Sequence, residues 1–189
     1  MSNAIKFILT PLALGLLFTL GCTQKPSPTP EPEQEEYDQV QVHFISLDAS
    51  GIETTDTSTV LINQSGVATP AELNLSANSD YRLLIQLFNQ SALINSEIID
   101  EGTEHQFFFQ ATPASGVSHY EYGDADTNGQ GIGLDGFITI GQGSFNFKML
   151  LRHGLNKQHE SAQQWNSSNY TEAGGEDDLN LTFGIHAAE

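Results

Sequence analysis

The chain has 189 residues, with 24 Asp and Glu against six Lys and Arg and a formal net charge of −18 at pH 7. Surfaces that bind nucleic acid or anionic lipid need clustered Lys and Arg, so this composition argues against both partners. Divalent cations and basic partners suit it better. Hydrophobic residues make up 38% of the chain, with eleven Phe and five Tyr, which argues against an entirely disordered acidic protein and fits one domain with a sizeable core.

Residues 1–21 have the pattern of a lipoprotein signal peptide. Lys6 supplies a positive charge, and the apolar run at 7–20 that follows it has the length of a signal sequence rather than of a membrane span. The run ends in Leu20-Gly21-Cys22, which resembles a bacterial lipobox and implies cleavage before Cys22 and lipid attachment to it. An ordinary secretory signal with an incidental cysteine is the alternative.

Cys22 is the only cysteine of the chain, so the rest of the sequence contains no intrachain disulfide, cysteine nucleophile or cysteine metal ligand. Thr23 follows it where an Asp would favour the inner membrane, so we expect a lipid anchor in the outer membrane, with the face left open. Residues 22–38 are the lipidated cysteine and a Pro- and Glu-rich tether, whose alternating prolines favour an extended conformation. We place the folded domain at 39–189.

The domain has the hydrophobic pattern of short β-strands. Apolar and polar residues alternate from Gln39 to Phe44, and Tyr81–Phe88 is a nearly continuous apolar run typical of a central strand. Eight or nine strands are predicted, at 39–44, 59–62, 73–75, 81–88, 106–109, 118–122, 136–140, 144–151 and 179–185. Gly141-Gln142-Gly143 predicts a tight hairpin between the strands on either side of it.

Helical patterns are scarce, since the best candidate, Ala92–Glu104, is short and contains Gly102. Strands in series without intervening helices indicate an all-β fold. We therefore predict a single antiparallel β-sandwich, immunoglobulin-like or jelly-roll-like, that follows the signal peptide and the tether.

An acidic, glycine-containing segment is the sharpest local motif. It resembles the calcium loop of an EF-hand, with Gly129 at position six. Its candidate ligands are Asp124, Asp126, Asn128 and Asp135, at loop positions one, three, five and twelve. The loop lacks the usual Glu at position twelve and has no predicted flanking helices. The alternative is a polar turn between two strands, because Asp, Asn and Gly are common turn residues.

Histidines and carboxylates form the second candidate site. Strand parity puts His105 and His153 on the core side of their strands, each at a strand end. Two imidazoles with a carboxylate suit zinc or another borderline divalent cation, and the further candidate ligands are Glu104 and His159. A structural role for these histidines is the alternative, since the sequence has no compact His-x-x-x-His spacing. No catalytic template has a diagnostic spacing, so we predict neither an enzyme nor an organic cofactor.

Several segments together carry a family resemblance. They are Leu75–Tyr81, Glu97–Phe109, Tyr122–Gly129 with Gly133-Leu134, Leu151–His153 with Asn156-Lys157, and Gly175–Asp178. With these segments the chain resembles, over roughly 40–186, small lipoproteins of Bacteroidetes-type Gram-negative bacteria that are often labelled "type 1 periplasmic binding fold" proteins. That label suggests a large α/β fold, which the strand pattern contradicts.

The resemblance implies a role beside TonB-dependent outer-membrane receptors. We therefore expect a lipid-anchored cell-envelope binding protein, an accessory to outer-membrane uptake that binds a divalent cation or a small ligand. The alternative is a structural or adhesive surface module with a calcium-stabilised loop and no transport role.

Overall fold

The computed structural model describes residues 34–189, so the predicted signal peptide, Cys22 and most of the predicted tether lie outside the described residues. This part of the chain has eleven strands and one short helix, and no helix in it is long and apolar enough to cross a membrane. The elements are β1 (Gln39–Leu47), β2 (Glu53–Asn63), β3 (Ala68–Thr69), β4 (Glu72–Ser76), β5 (Ser79–Asn89), β6 (Ala92–Leu93), α1 (Asn95–Asp100), β7 (His105–Thr112), β8 (Val117–Tyr122), β9 (Asp135–Ile140), β10 (Gly143–His153) and β11 (Glu176–Ala188).

The strands form two sheets. The first has the order β3-β2-β1-β5-β9-β8, with β6 paired to β5, and the second has the order β4-β11-β10-β7. Every pair is antiparallel except β11 with β4. The predicted all-β, antiparallel sandwich is therefore confirmed in its main features. The nine predicted strands are all present, and the two additional ones, β3 and β6, have two residues each.

One hydrophobic core is shared by the two sheets. Alternate residues of β1, among them Val42 and Phe44, are buried in it, as are alternate residues of β10, among them Phe147. The rings of Phe44 and Phe147, one from each sheet, lie edge to face with centroids 6.1 Å apart. Complete burial of such a side chain contributes roughly 1.5–3 kcal/mol, so the period-two pattern is what holds the sheets together.

The predicted hairpin around Gly141-Gln142-Gly143 is wrong. β9 pairs with β5 and β8 in the first sheet, whereas β10 pairs with β11 and β7 in the second, so this turn carries the chain from one sheet to the other. A Cβ atom at Gly141 would overlap the carbonyl oxygen of Ser115, and Gly143 has a φ of +95°. The glycines therefore mark a close backbone approach and a reversal of direction, but they do not determine which strand pairs next.

The helix predicted over Ala92–Glu104 is also shorter than expected. Its first two residues form β6, α1 covers only Asn95–Asp100, and residues 101–104 form a turn that leads into β7. Gly102 in this turn is buried, and a Cβ atom there would overlap the Ile132 side chain. The turn places two glutamates beside the first residue of β7.

The long segment 154–175 covers the outer face of the second sheet at β7 and β10. Phe108 and Leu150 of these strands form a second, smaller apolar cluster with Leu155, Ala162 and Ala173 of the segment. The edge of β7 is also covered, since the Phe107 amide donates to the Ile132 carbonyl and the Phe109 amide donates to the Trp165 carbonyl. This end of β7 and β10 is therefore enclosed on several sides.

Candidate metal centre

His105 and His153 lie directly opposite each other at the ends of β7 and β10. Their ring centroids are 4.3 Å apart with the planes tilted by 33°. The His105 side chain is fully buried and the His153 side chain is 6% exposed. Residues directly opposite in an antiparallel pair have Cβ atoms about 5 Å apart, so the register of the two strands is what brings the imidazoles together.

Asp178 lies close to both rings. Its Oδ2 atom is 3.2 Å from His105 Nε2 and 3.7 Å from His153 Nδ1, and its side chain is completely buried. Strict alternation would put Asp178 on the outer face, because Leu179 and Leu181 are buried. The β10–β11 register shifts at this point, from Leu151 opposite Leu179 to Arg152 opposite Asp177, which leaves Asp178 as the extra residue of a β-bulge. The bulge turns the carboxylate towards the histidines.

Three glutamates surround the pair. Glu101 and Glu104, both largely exposed, come from the turn after α1, and their Oε2 atoms lie 3.6 and 3.8 Å from His153 Nε2. Glu35 comes from the residues that precede β1, and its Oε1 atom is 3.8 Å from His105 Nε2. Burial raises the pKa of the Glu35 carboxyl, while His105 opposes the rise and Asp178 adds to it.

Several polar atoms of this cluster have no hydrogen-bond partner among the described residues. They are Nδ1 of His105, Nδ1 of His153 and Oδ1 of Asp178, all of them buried. A buried polar atom without a partner costs about 1–3 kcal/mol, and such atoms often mark functional positions. Three of the basic side chains in the same range, Arg82, Arg152 and Lys157, form ion pairs with carboxylates elsewhere in the domain.

The donor set fits a zinc-type cation. Ligand atoms of Glu101, His105 and His153 all lie within 4.8 Å of one another. In a tetrahedral zinc site the ligand atoms are about 2.0–2.2 Å from the ion and therefore roughly 3.5 Å from each other. The separations of 3.2–3.8 Å around the two imidazoles are of this size. Mixed imidazole and carboxylate ligands suit zinc and other borderline divalent ions.

The two further ligands that the sequence suggested lie in different places. Glu104 is beside His153, as described above, but His159 is not part of the group. His159 precedes the short 3-10 turn Glu160–Ala162, where its Nδ1 atom accepts a hydrogen bond from the Ser161 amide. The reason is that His159 belongs to segment 154–175, which covers the outer face of the sheet, whereas the histidine pair is on the core side.

The carboxylates of the calcium-like loop all bind donors of the chain itself. Asp124 accepts hydrogen bonds from the amides of Gly133 and Leu134 at 2.6 and 2.9 Å, and a longer one from that of Asp135. Asp135 in turn accepts two bonds from the Arg82 guanidinium at 2.6 and 2.8 Å. Burial raises the pKa of Asp124, although the backbone hydrogen bonds oppose the rise.

Asp126, in the same loop, forms a buried ion pair. Its Oδ1 atom accepts bonds from the Asn128 and Gln130 amides, and its Oδ2 atom is 2.9 Å from Lys157 Nζ. Burial alone would raise the pKa of Asp126, but the bonds from Gln130 and Lys157 outweigh this effect and lower it. Lys157 also donates to the Gly102 carbonyl at 2.8 Å, so the ion pair holds the turn that carries Glu101 and Glu104.

The four predicted calcium ligands do not converge. Asp124, Asp126 and Asp135 have separate partners, and the Asn128 residue is exposed. Within residues 34–189, one group of three or more His, Asp or Glu side chains has ligand atoms that all lie within 4.8 Å of one another, and it consists of Glu101, His105 and His153. The polar-turn interpretation accounts for these contacts, and the sequence-based hypothesis of a calcium loop needs a calcium titration to test it.

Sequence reasoning missed three members of the cluster. Asp178 ends the Gly175–Asp178 segment of the family resemblance, which was the one signal that pointed to it. Glu101 stands four residues before His105 in the Glu97–Phe109 segment, and no ligand spacing in the sequence singled it out. Glu35 was assigned to the tether on composition alone.

No protein-family model matches the chain, and the searches of curated proteins and of solved structures also found no match. The family resemblance and its functional implications therefore stay predictions, and the case for a function depends on the geometry of this cluster.

Proposed function

We propose that the chain is a lipid-anchored cell-envelope protein whose domain binds a zinc-type divalent cation between His105, His153 and Asp178. Glu101, whose ligand atom lies within 4.8 Å of those of both histidines, is the exposed carboxylate at the edge of this site. The observation that carries the proposal is the convergence of two buried imidazoles and a buried carboxylate, with polar atoms that have no partner among the described residues.

The charge of the cluster supports a cation rather than an anion. Four carboxylates, those of Glu35, Glu101, Glu104 and Asp178, lie within 3.8 Å of an imidazole nitrogen. An ionised group that is buried without a partner of opposite charge is strongly destabilising. A divalent cation would offset the cost of burying these negative charges and their repulsion of one another. Imidazole nitrogens favour zinc-type ions over calcium or magnesium, which prefer oxygen ligands.

The cell-envelope part of the proposal depends on the lipobox-like Leu20-Gly21-Cys22 and on the family resemblance. In this role the domain holds its cation, or a small ligand bound through it, beside an outer-membrane receptor of the TonB-dependent class. The domain acts as a binding protein and not as an enzyme.

Thermal unfolding in zinc and in chelator tests the cation site. A ligand that binds only the folded state stabilises it by about 2.7 kcal/mol at a free concentration one hundred times its dissociation constant. We expect zinc to raise the unfolding midpoint of the purified chain, and His105→Ala with His153→Ala to remove the increase. The matched control is His43→Ala with His186→Ala, because these two histidines are on outer faces and bond to Thr59, Gln86 and Ser144. A midpoint that zinc leaves unchanged would contradict the proposal.

The lipid anchor has a separate test. Cys22→Ser removes the thiol that would carry the lipid, so we expect labelling with a radioactive fatty acid to disappear and the chain to leave the membrane fraction or to stay uncleaved. Continued membrane association of a correctly processed Cys22→Ser chain would contradict the anchor.

A further inference from the structure

The last residues before β1 reach the candidate metal centre. The Glu35 side chain is only 10% exposed, and its Oε1 atom lies 3.8 Å from His105 Nε2. The residues on either side of it, Gln34 and Glu36, are exposed. A glutamate in an acidic, solvated segment is expected to keep its carboxylate in water, since burial of this charge costs free energy unless a partner offsets it.

The backbone that follows Glu35 is fixed to the first sheet. The Asp38 amide donates to the Phe88 carbonyl, the Gln64 amide donates to the Asp38 carbonyl, and the Gln90 amide donates to Asp38 Oδ2, all at 2.8–2.9 Å. Tyr37 packs against the core. The chain is therefore anchored within three residues of Glu35, and the folded domain determines where this carboxylate lies.

Glu35 and Asp178 approach the same nitrogen atom. His105 Nε2 has Asp178 Oδ2 at 3.2 Å and Glu35 Oε1 at 3.8 Å, and a single N–H can make a good hydrogen bond to only one of them. A cation between the three groups would bind both carboxylates and the nitrogen at once.

We propose that Glu35 is a ligand that closes the cation site, so that cation binding fixes the end of the tether on the domain. This inference depends on the proposed zinc-type site and adds a fourth buried ligand to it. His105, His153, Asp178 and Glu35 make up the four ligands of a closed tetrahedral site. Glu101 and Glu104 then form the exposed acidic rim through which the ion enters.

A pair of neighbouring substitutions tests the inference in the purified full chain. Glu35→Gln keeps the size of the side chain but removes a ligand, whereas Glu36→Gln removes the same charge one residue away from an exposed position. Even substitution of groups that only support metal ligands weakens affinity about 10- to 100-fold. We expect at least a tenfold weaker zinc affinity for Glu35→Gln in competition with a chromophoric chelator, and wild-type affinity for Glu36→Gln.

Amide hydrogen exchange of residues 34–38 supplies a second readout, which the loss of a negative charge without the loss of a ligand would not change. Zinc should slow exchange in this segment in the wild-type chain and in Glu36→Gln, and should leave it unchanged in Glu35→Gln. If zinc binds equally well to Glu35→Gln and does not slow exchange at 34–38, the inference is wrong while the zinc site stands. If the wild-type chain binds no zinc, the inference and the proposed function both fail.

Discussion

Two acidic regions of this domain differ in whether the chain itself supplies partners for their polar groups. In the loop from Asp124 to Asp135, backbone amides, Arg82 and Lys157 bind the carboxylates. At the end of β7 and β10, carboxylates surround His105 and His153, and buried nitrogen and oxygen atoms have no partner in the described part of the chain. The first region has the better sequence motif, and the second has the better donor set for a cation.

The difference shows what a local motif can and cannot report. The spacing of Asp, Asn and Gly in the loop is suited to a calcium site and also to a turn in which carboxylates cap the amides of their own loop. Cation binding needs donors that converge and that the protein leaves unpaired. Those donors come here from the residues before β1, the turn after α1 and three different strands, which no short motif contains.

The largest expected effect is on stability and concerns the loop. Lys157→Met leaves the Asp126 side chain, which is 1% exposed, without its cation, and it also removes the bond to the Gly102 carbonyl. Removal of one partner of a buried ion pair costs about 3–5 kcal/mol, so we expect the free energy of unfolding, measured in urea, to fall by this amount.

Lys148→Met is the matched control, because Lys148 forms no ion pair with any residue in the described range. It should change stability by about 0.5 kcal/mol or less. Equal losses for the two variants would mean that the Asp126–Lys157 pair does not hold the loop.

A smaller effect on stability is expected for Asp178→Asn in the histidine cluster, and its sign should differ between chelator and zinc. Asp178→Asn removes a buried charge whose Oδ1 atom has no partner among the described residues. In chelator, we therefore expect the variant to be as stable as the wild type or more stable, by up to about 1–3 kcal/mol. In zinc, the variant should lose most of the stabilisation that the wild type gains, because a ligand is missing. Destabilisation in chelator, measured by urea unfolding, would instead indicate a structural Asp178.

Calcium is expected to have the smallest effect. Since the loop carboxylates already bind amides and basic side chains, millimolar calcium should leave the thermal midpoint equal to that in chelator. The test is a pair of melting curves for the wild type and for Asp124→Asn. A calcium-dependent rise in the wild type that Asp124→Asn removes would show that the loop is a calcium site after all.

The strand positions, and the side of the sheet on which His105 and His153 lie, were predictable because they depend on local alternation. Counted in steps of two, His105 has the parity of Phe107 and Phe109, and His153 has the parity of Phe147 and Leu151. Parity therefore assigned both side chains to the core side, even though these strand ends are buried on both faces. The partner of each strand was not predictable in the same way. The Gly141–Gly143 turn has the sequence of a hairpin, but the chain crosses to the other sheet because β9 and β10 have different partners far along the chain.

The remaining ligands depend on features without a periodic signal. A bulge reverses the side on which Asp178 lies, and its position depends on the pairing of two distant strands. Glu35 belongs to a segment whose Pro- and Glu-rich composition is that of the predicted tether. His159 lies in a long segment that is not a strand, so alternation in the sequence could not show on which side of the sheet it lies.

An equilibrium zinc titration against a chromophoric chelator tests the central claim most directly, because it reads affinity and stoichiometry for any variant. The wild-type chain should bind roughly one zinc ion, as expected for a single four-ligand site. His105→Asn with His153→Asn should weaken this binding by more than about 100-fold, beyond the usual effect of a supporting residue. Asp124→Asn in the loop should leave it unchanged. Zinc binding that survives the double histidine substitution, or no zinc binding by the wild type, would contradict the account.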